Sequence, residues 1–224
     1  MAIRGEQTGT EELIKDRLFH WAALLGDPET EQLAKPVRQA IDLLKTADQA
    51  TRAAEETAVE KAALLERGEY LHDSLQRECE LDVLKRAKKN RQADGYRSVY
   101  PGGLSSLIML FGKEQERAVE GMLKALEVEY PDLAKQYKKS LAELAKKATQ
   151  AEEEWEAAEA KAGQAFQSDR LQRAGLVRVM QRSEGALLSL FPGDRARVRS
   201  YFRDFKRGRR PDAETPAPSP APAP

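Results

Sequence analysis

Cysteine, histidine and aromatic residues are scarce in this chain of 224 residues. The single cysteine, Cys79, excludes an intramolecular disulfide framework and a zinc site built from several thiolates. The two histidines, His20 and His72, leave too few groups for a metal site or a Ser–His–Asp catalytic set. Because His72 and Cys79 share one helix seam a heptad apart, we interpret both as structural. We therefore expect no enzyme activity, catalytic residue, metal, cofactor or small-molecule substrate.

Neither sign of charge is in excess, and no apolar stretch is long. The chain has 37 basic and 37 acidic residues, so no global field favours nucleic acid or an anionic membrane. No run approaches the roughly 18 apolar residues that a membrane-spanning helix requires. The first residues, MAIRGEQTGTEELIK, lack the apolar segment of a signal peptide. These absences predict a cytoplasmic protein of bacterial type.

Helix-forming residues, in contrast, are abundant. A third of the chain is charged, and Ala, Glu, Lys, Arg, Leu and Gln dominate, a composition typical of long helices and coiled coils. Small and apolar residues recur at steps of three and four over residues 37–91, and again from residue 114 into the 160s. If the chain folds back between them, facing residue numbers sum to about 205, so that Ala58 faces Ala148 and Leu65 faces Leu141. We predict an all-α fold built on a long antiparallel helical hairpin, a coiled-coil stalk.

The remaining segments are predicted to complete the fold around this hairpin. The N- and C-terminal helices each carry an apolar face, and we expect them to form a small helical bundle at the hairpin base. Pro36 either kinks the second helix or marks its beginning, and Pro131 should bend or restart the second arm. The predicted N-terminal helix, hairpin, C-terminal helices and disordered Ala/Pro tail are residues 1–36, 37–170, 171–208 and 209–224. The tip connection of the hairpin is predicted at residues 94–112.

A short motif occurs twice, as SVYPGG at residues 98–103 and as SLFPGD at residues 189–194. Each copy indicates the end of a helix followed by a turn, because the residue before proline leaves the helical region of backbone space. Asp194 is expected to cap the helix that follows the second copy. Ser105 or Ser106 is expected to do the same after the first copy.

The segment LSSLIMLF, residues 104–111, is an apolar run between two heavily charged segments. One interpretation is a private core, in which one helical turn packs back onto the neighbouring helices. The other is a contact surface for a second protomer, another partner or a membrane, since the connection is longer than two antiparallel helices require. The candidate partner contacts are Leu107, Ile108, Leu110 and Phe111.

Two basic clusters, at residues 85–97 and 195–210, are candidates for binding anions. Tyr201, Phe202 and Phe205 interleave the second cluster, so it is also consistent with an amphipathic helix docked by its aromatic face. The candidate anion contacts are Lys85, Lys88, Lys89, Arg195, Arg199, Arg203, Arg207 and Arg210.

The first functional hypothesis is a non-enzymatic structural or scaffolding coiled-coil protein that acts by self-association, as a homo-oligomer, or by binding a protein partner. The alternative is a protein that binds nucleic acid or an anionic membrane surface through the two basic clusters. Salt distinguishes the two hypotheses, because phosphate contacts weaken steeply as salt rises and apolar association does not.

Overall fold

A computed structural model describes residues 9–203 of the chain. Its two longest helices, α2 and α6, pack against each other as an antiparallel hairpin, and a small helical bundle accompanies them, as predicted. No strand occurs between residues 9 and 203. The predicted Ala/Pro tail lies outside the described residues. The helices are α1 Thr10–Leu25, α2 Glu31–Arg86, α3 Asp94–Val99, α4 Leu104–Ile108, α5 Gly112–Glu129, α6 Pro131–Leu190 and α7 Arg195–Ser200.

The chain divides into two compact units, each with its own hydrophobic core. Unit 1 contains the chain up to residue 49 and from residue 167 onwards, and unit 2 contains residues 50–166. The core of unit 1 comes from α1, the first part of α2, the last part of α6, and α7. Its fully buried apolar residues are Leu13, Leu24, Val37, Ile41, Leu44, Leu176, Met180 and Leu187.

Within unit 1, a short turn joins α1 to α2. The Thr30 hydroxyl donates a hydrogen bond to the Leu24 carbonyl at 2.8 Å, which accounts for one of the carbonyls left free at the end of α1. Helix α2 then begins at Glu31, so Pro36 lies inside the helix and does not mark its beginning. Pro36 and Gln32 are both exposed, and water can therefore hydrate the Gln32 carbonyl that loses its backbone donor.

In unit 2, α2 and α6 run antiparallel, but the predicted register is wrong, because facing residue numbers sum to 215 and 219 and not to about 205. Lys61 pairs with Glu154 at 2.7 Å, and the Tyr137 hydroxyl donates to Asp82 at 2.6 Å. The prediction placed the second arm of the hairpin from residue 114 onwards. The arm in fact begins at Pro131, where the chain restarts after Tyr130 leaves helical geometry (φ −141°, ψ 70°).

Helix α5 is therefore a third helix of unit 2 and not part of the second arm. Lys113 at its start pairs with Glu153 at 2.9 Å, and Glu127 near its end pairs with Lys138. These two pairs show that α5 runs antiparallel to α6. The segment predicted as the tip connection forms α3 and α4, which pack on α5. The buried apolar residues of this core are Cys79, Val83, Tyr96, Val99, Tyr100, Leu107, Val119, Met122, Leu123, Leu126, Leu133, Ala134, Tyr137, Leu141 and Ala145.

Helix α2 ends in a Schellman motif formed by two lysines. The Lys89 amide donates to the Leu84 carbonyl at 2.7 Å, and the Lys88 amide donates to the Lys85 carbonyl at 3.2 Å. Lys88 and Lys89 both have left-handed backbone conformations, with φ of 53° and 61°. A residue with a Cβ atom pays a free-energy cost for this conformation, and glycine does not.

We expect the Lys88→Gly substitution to stabilise unit 2 by about 1 kcal/mol, because Lys88 occupies the left-handed position of the motif. The matched control is Lys85→Gly, in the last turn of α2, which is expected to destabilise the protein by about 1 kcal/mol. Urea unfolding followed by circular dichroism measures both changes. A loss of stability in the Lys88 variant would contradict the expectation.

In both copies of the repeated motif, a helix ends before a buried aromatic residue. Helices α3 and α6 end directly before Tyr100 and Phe191, and each aromatic residue is buried. Asp194 caps α7 by accepting a hydrogen bond from the Arg197 amide at 2.9 Å, as predicted. The predicted serine cap of α4 is wrong, because the Ser106 hydroxyl instead donates to the Gly103 carbonyl.

Candidate functional site

The apolar run at residues 104–111 is divided between core and surface. Leu107 is buried in the unit 2 core, and Ile108 and Leu110 are half-buried. Met109 and Phe111 are 74% and 58% exposed. Consecutive side chains around the end of a short helix point in different directions, so one surface cannot bury all of them. Of the four predicted contact residues, therefore, only Phe111 is fully exposed.

The first basic cluster surrounds the end of α2. Lys85 pairs with Asp82 at 2.7 Å, whereas no described residue pairs with Lys88 or Lys89, and both are exposed. A shallow groove of about 420 Å³ lies here, with an apolar floor and a basic rim. Its lining residues are Leu81, Leu84, Lys85, Lys89 and Arg91.

Two residues of the second basic cluster, Arg197 and Arg203, are engaged within unit 1. The Arg197 guanidinium donates to Asp27 at 2.7 Å and to Glu29 at 2.8 Å, and it lies 3.7 Å from the centre of the Phe191 ring. Arg203 pairs with the buried carboxylate of Asp16 at 3.3 Å.

The docked interpretation of this segment fits the structure, because Val198, Tyr201 and Phe202 are buried in the unit 1 core. Arg195 and Arg199 remain exposed, without a partner among the described residues. Arg207, Arg210 and Phe205 lie outside the described residues.

Asp27 anchors α7 to the turn between α1 and α2. Its carboxylate accepts hydrogen bonds from the Tyr201 hydroxyl and from Arg197, and these bonds lower the pKa of Asp27 to about 2. The carboxylate therefore stays ionised at neutral pH. Asp27 and Arg197 are 170 residues apart, and no sequence pattern connected them.

His20 forms a buried polar centre in unit 1 that the sequence did not predict. Its Nδ1 lies 2.9 Å from the Tyr201 carbonyl, and its Nε2 lies 2.9 Å from the Ser183 hydroxyl. Because a carbonyl only accepts, Nδ1 carries the proton and Nε2 accepts from Ser183. The ring also stacks on Phe202, with 4.3 Å between ring centroids.

A serine hydroxyl bonded to a histidine is the arrangement of a nucleophile and its base. Here Ser183 and His20 are only 5% and 0% exposed, so a substrate carbonyl cannot reach the hydroxyl. Burial is the main cause that lowers the pKa of His20 to about 4, and the nearby charge of Arg17 acts in the same direction. The arrangement therefore holds a neutral imidazole between α1, α6 and the segment after α7.

The polar residues on the α2 seam of unit 2 are also enclosed. Burial raises the pKa of the Cys79 thiol to about 11, so it stays protonated and unreactive at neutral pH. His72 is fully buried, and burial lowers its pKa. Gln76 donates a long hydrogen bond of 3.4 Å to His72. These contacts agree with the structural interpretation of His72 and Cys79.

A polar pocket of about 410 Å³ lies beside the first copy of the repeated motif. Its buried carboxylate, Glu80, accepts a hydrogen bond from the Tyr96 hydroxyl at 2.7 Å and pairs with Arg91 at 3.2 Å. Glu80 and Arg91 thus neutralise each other, and Arg97 also lines the pocket. Within residues 9–203, no group of three or more His, Cys, Asp or Glu side chains is placed to hold a metal ion. No helix of the described segment is both long enough and apolar enough to cross a membrane.

One stretch of unit 2 has almost no buried residues. No residue of α2 from 52 to 71 is buried, and from 150 to 166 of α6 only Ala158 is. The predicted alanine seams are here, and Ala58, Ala62 and Leu65 are half-buried. We call residues 52–71 together with 150–166 the acidic section, because they carry ten acidic and four basic side chains, a net charge of −6.

No known protein family, no curated protein and no solved structure matches this chain.

Proposed function

We propose that this chain is a non-enzymatic scaffolding protein that associates with a second copy of itself through Met109 and Phe111. One observation carries the proposal: these two large apolar side chains are exposed within a continuous run of apolar residues, and they lie beside a complete core that leaves them out. Runs of exposed apolar residues on a charged surface are unfavourable unless they serve a contact. The half-buried Ile108 and Leu110 would extend the contact.

The double substitution Met109→Glu with Phe111→Glu tests this proposal. Light scattering is expected to show a mass above the 25.1 kDa monomer that rises with concentration for the parent, and a monomer for the variant. The thermal unfolding midpoint of the monomer should stay within a few degrees, because surface substitutions usually change stability by about 0.5 kcal/mol or less. Val128→Glu is the control, since Val128 on α5 is 78% exposed and lies outside the run.

Two outcomes would contradict self-association through this surface. If the parent remains monomeric at every concentration, the protein does not self-associate. If the variant associates as strongly as the parent, Met109 and Phe111 are not part of the contact.

The groove at the end of α2 supports a second candidate function, the binding of anionic polymers or membrane surfaces. Lys88 and Lys89 are exposed, without described partners, and Lys89 lies on the rim of an apolar floor. We expect the parent to bind heparin at low salt and the Lys88→Gln, Lys89→Gln variant to elute at lower salt. The matched control replaces Lys146 and Lys147, an exposed lysine pair on α6. Equal elution of the two variants would reject this candidate.

A further inference from the structure

The acidic section lacks the third helix that covers the rest of unit 2. Helix α5 packs alongside α6 and begins at Gly112, next to the carboxylate of Glu152. Beyond Glu152 towards the C-terminus of α6, no described residue of unit 2 covers the α2–α6 pair. The loss of buried residues begins at the same place. The position that α5 fills along one part of unit 2 is therefore open along the acidic section.

Exposed apolar side chains occur on both helices of the acidic section. Val59 and Tyr70 of α2 are 70% and 62% exposed and are eleven residues apart, three helical turns, so they lie on one face. Trp155 and Phe166 of α6 have the same spacing, and Phe166 is 45% exposed while Trp155 is half-buried.

Acidic side chains flank the same two faces. Glu55 and Glu66 precede Val59 and Tyr70 by four residues each, one turn away on the same face of α2. Glu159 follows Trp155 by four residues on α6. None of these three glutamates pairs with a described basic residue.

Acidic side chains of the two helices are crowded together near these faces. Partial burial raises the pKa of Glu69, and the neighbouring charges of Asp73, Glu152 and Glu66 raise it further. Glu69 and Glu66 belong to α2, whereas Glu152 belongs to α6. Carboxylates of both helices thus repel one another across the open position, and a cationic group placed there would relieve the repulsion.

We propose that the acidic section binds a cationic amphipathic helix of a partner protein, which lies in the open position and completes a three-helix bundle. Its apolar stripe would pack on Val59, Tyr70, Trp155 and Phe166. Its Lys and Arg side chains, on both sides of the stripe, would pair with Glu55, Glu66 and Glu159. A partner of about 20 residues, about 30 Å long as a helix, spans the section. The same section of a second copy is a poor occupant, since two net charges of −6 repel.

Trp155 provides the readout, because it lies in the section and Trp21 is the only other tryptophan. The experiment uses the full chain with Trp21→Phe and with Met109→Glu and Phe111→Glu, so that it is independent of the proposed self-association. The probe is a synthetic 20-residue helix with a leucine stripe and lysine flanks. We expect the Trp155 emission to shift to the blue on binding, with an affinity that falls at least tenfold between 50 and 300 mM salt. The same peptide with glutamate in place of lysine should not bind.

Matched variants test whether the peptide binds at this site or is attracted to acidic side chains in general. Val59→Ser with Tyr70→Ser should weaken binding at least tenfold, whereas Val128→Ser should leave it unchanged. Glu55→Gln with Glu66→Gln should weaken binding more than Glu56→Gln with Glu60→Gln, which remove equal charge about a quarter to a third of a turn further round the same helix.

Equal effects of the two glutamine pairs, or no effect of the serine pair, would overturn the proposal. A Trp155 shift that appears with protein concentration alone would identify a second copy as the occupant and would also overturn it.

Discussion

Lowering the pH from 7 to 4 is expected to reduce the free energy of unfolding of unit 1 by about 3 kcal/mol through His20 alone. In the unfolded chain, histidine binds its proton near pH 6.5, whereas burial holds the pKa of His20 at about 4 in the folded protein. The stabilisation is complete above pH 6.5 and is lost as the pH falls to 4. Below that pH both states are protonated and the loss stops. Each pKa unit of difference corresponds to about 1.4 kcal/mol.

The Tyr201 carbonyl favours the protonated ring of His20, but burial and the nearby charge of Arg17 outweigh it. The Tyr201 carbonyl already accepts from Nδ1, the Ser183 hydroxyl donates to Nε2, and Arg17 carries a positive charge. Protonation therefore places a poorly solvated charge between α1, α6 and the segment after α7, which destabilises this part of unit 1. The structure predicts that unit 1 loosens at this end first.

Urea unfolding at pH 7 and pH 4, followed by the fluorescence of Trp21 in a Trp155→Phe background, measures the loss in unit 1. His20→Phe is the control, because it keeps an aromatic ring against Phe202 and removes the titrating group. This variant should be less stable at pH 7 but should lose about 3 kcal/mol less than the parent on acidification. His72 is present in both proteins, so its contribution to the loss of stability cancels in the comparison. Equal losses in the two proteins would show that His20 is not the group responsible.

Replacing Leu126 with alanine is expected to destabilise unit 2 by about 3 kcal/mol. Leu126 is fully buried on α5, in the same core as Val83 of α2 and Leu141 of α6. Removal of a buried leucine side chain loses its transfer free energy and leaves a cavity, with a typical cost of about 2 to 5 kcal/mol. The expectation depends on α5 being a third helix of the core, which the sequence did not predict.

Val128→Ala is the matched control, two residues further along α5. Val128 is 78% exposed, so its substitution should change stability by about 0.5 kcal/mol or less. Urea unfolding followed by circular dichroism compares the two variants. Similar small effects for both would mean that α5 does not pack as the structure describes.

The periodicity and the local stop signals of the sequence were enough to determine the helical architecture. Steps of three and four place apolar residues on one face of a helix whatever the rest of the chain does, so the two long helices were predictable. Backbone rules are equally local. The residue before Pro131 and the residues before the two Pro-Gly turns leave helical geometry, and the helices end there, whereas Pro36 lies inside α2. Asp194 was recognisable as a cap for the same reason.

Only the tertiary structure decided the register, the place of α5 and the polar centre of unit 1. An alanine seam pairs almost equally well at several registers, because small residues offer little shape to distinguish one from another. The second arm begins at Pro131, so residues 112–129 form a separate helix, α5, and the register differs from the predicted one. His20 and Ser183 are 163 residues apart, and Asp27 and Arg197 are 170 apart. No local pattern encodes such contacts, because they exist only where packing brings distant segments together.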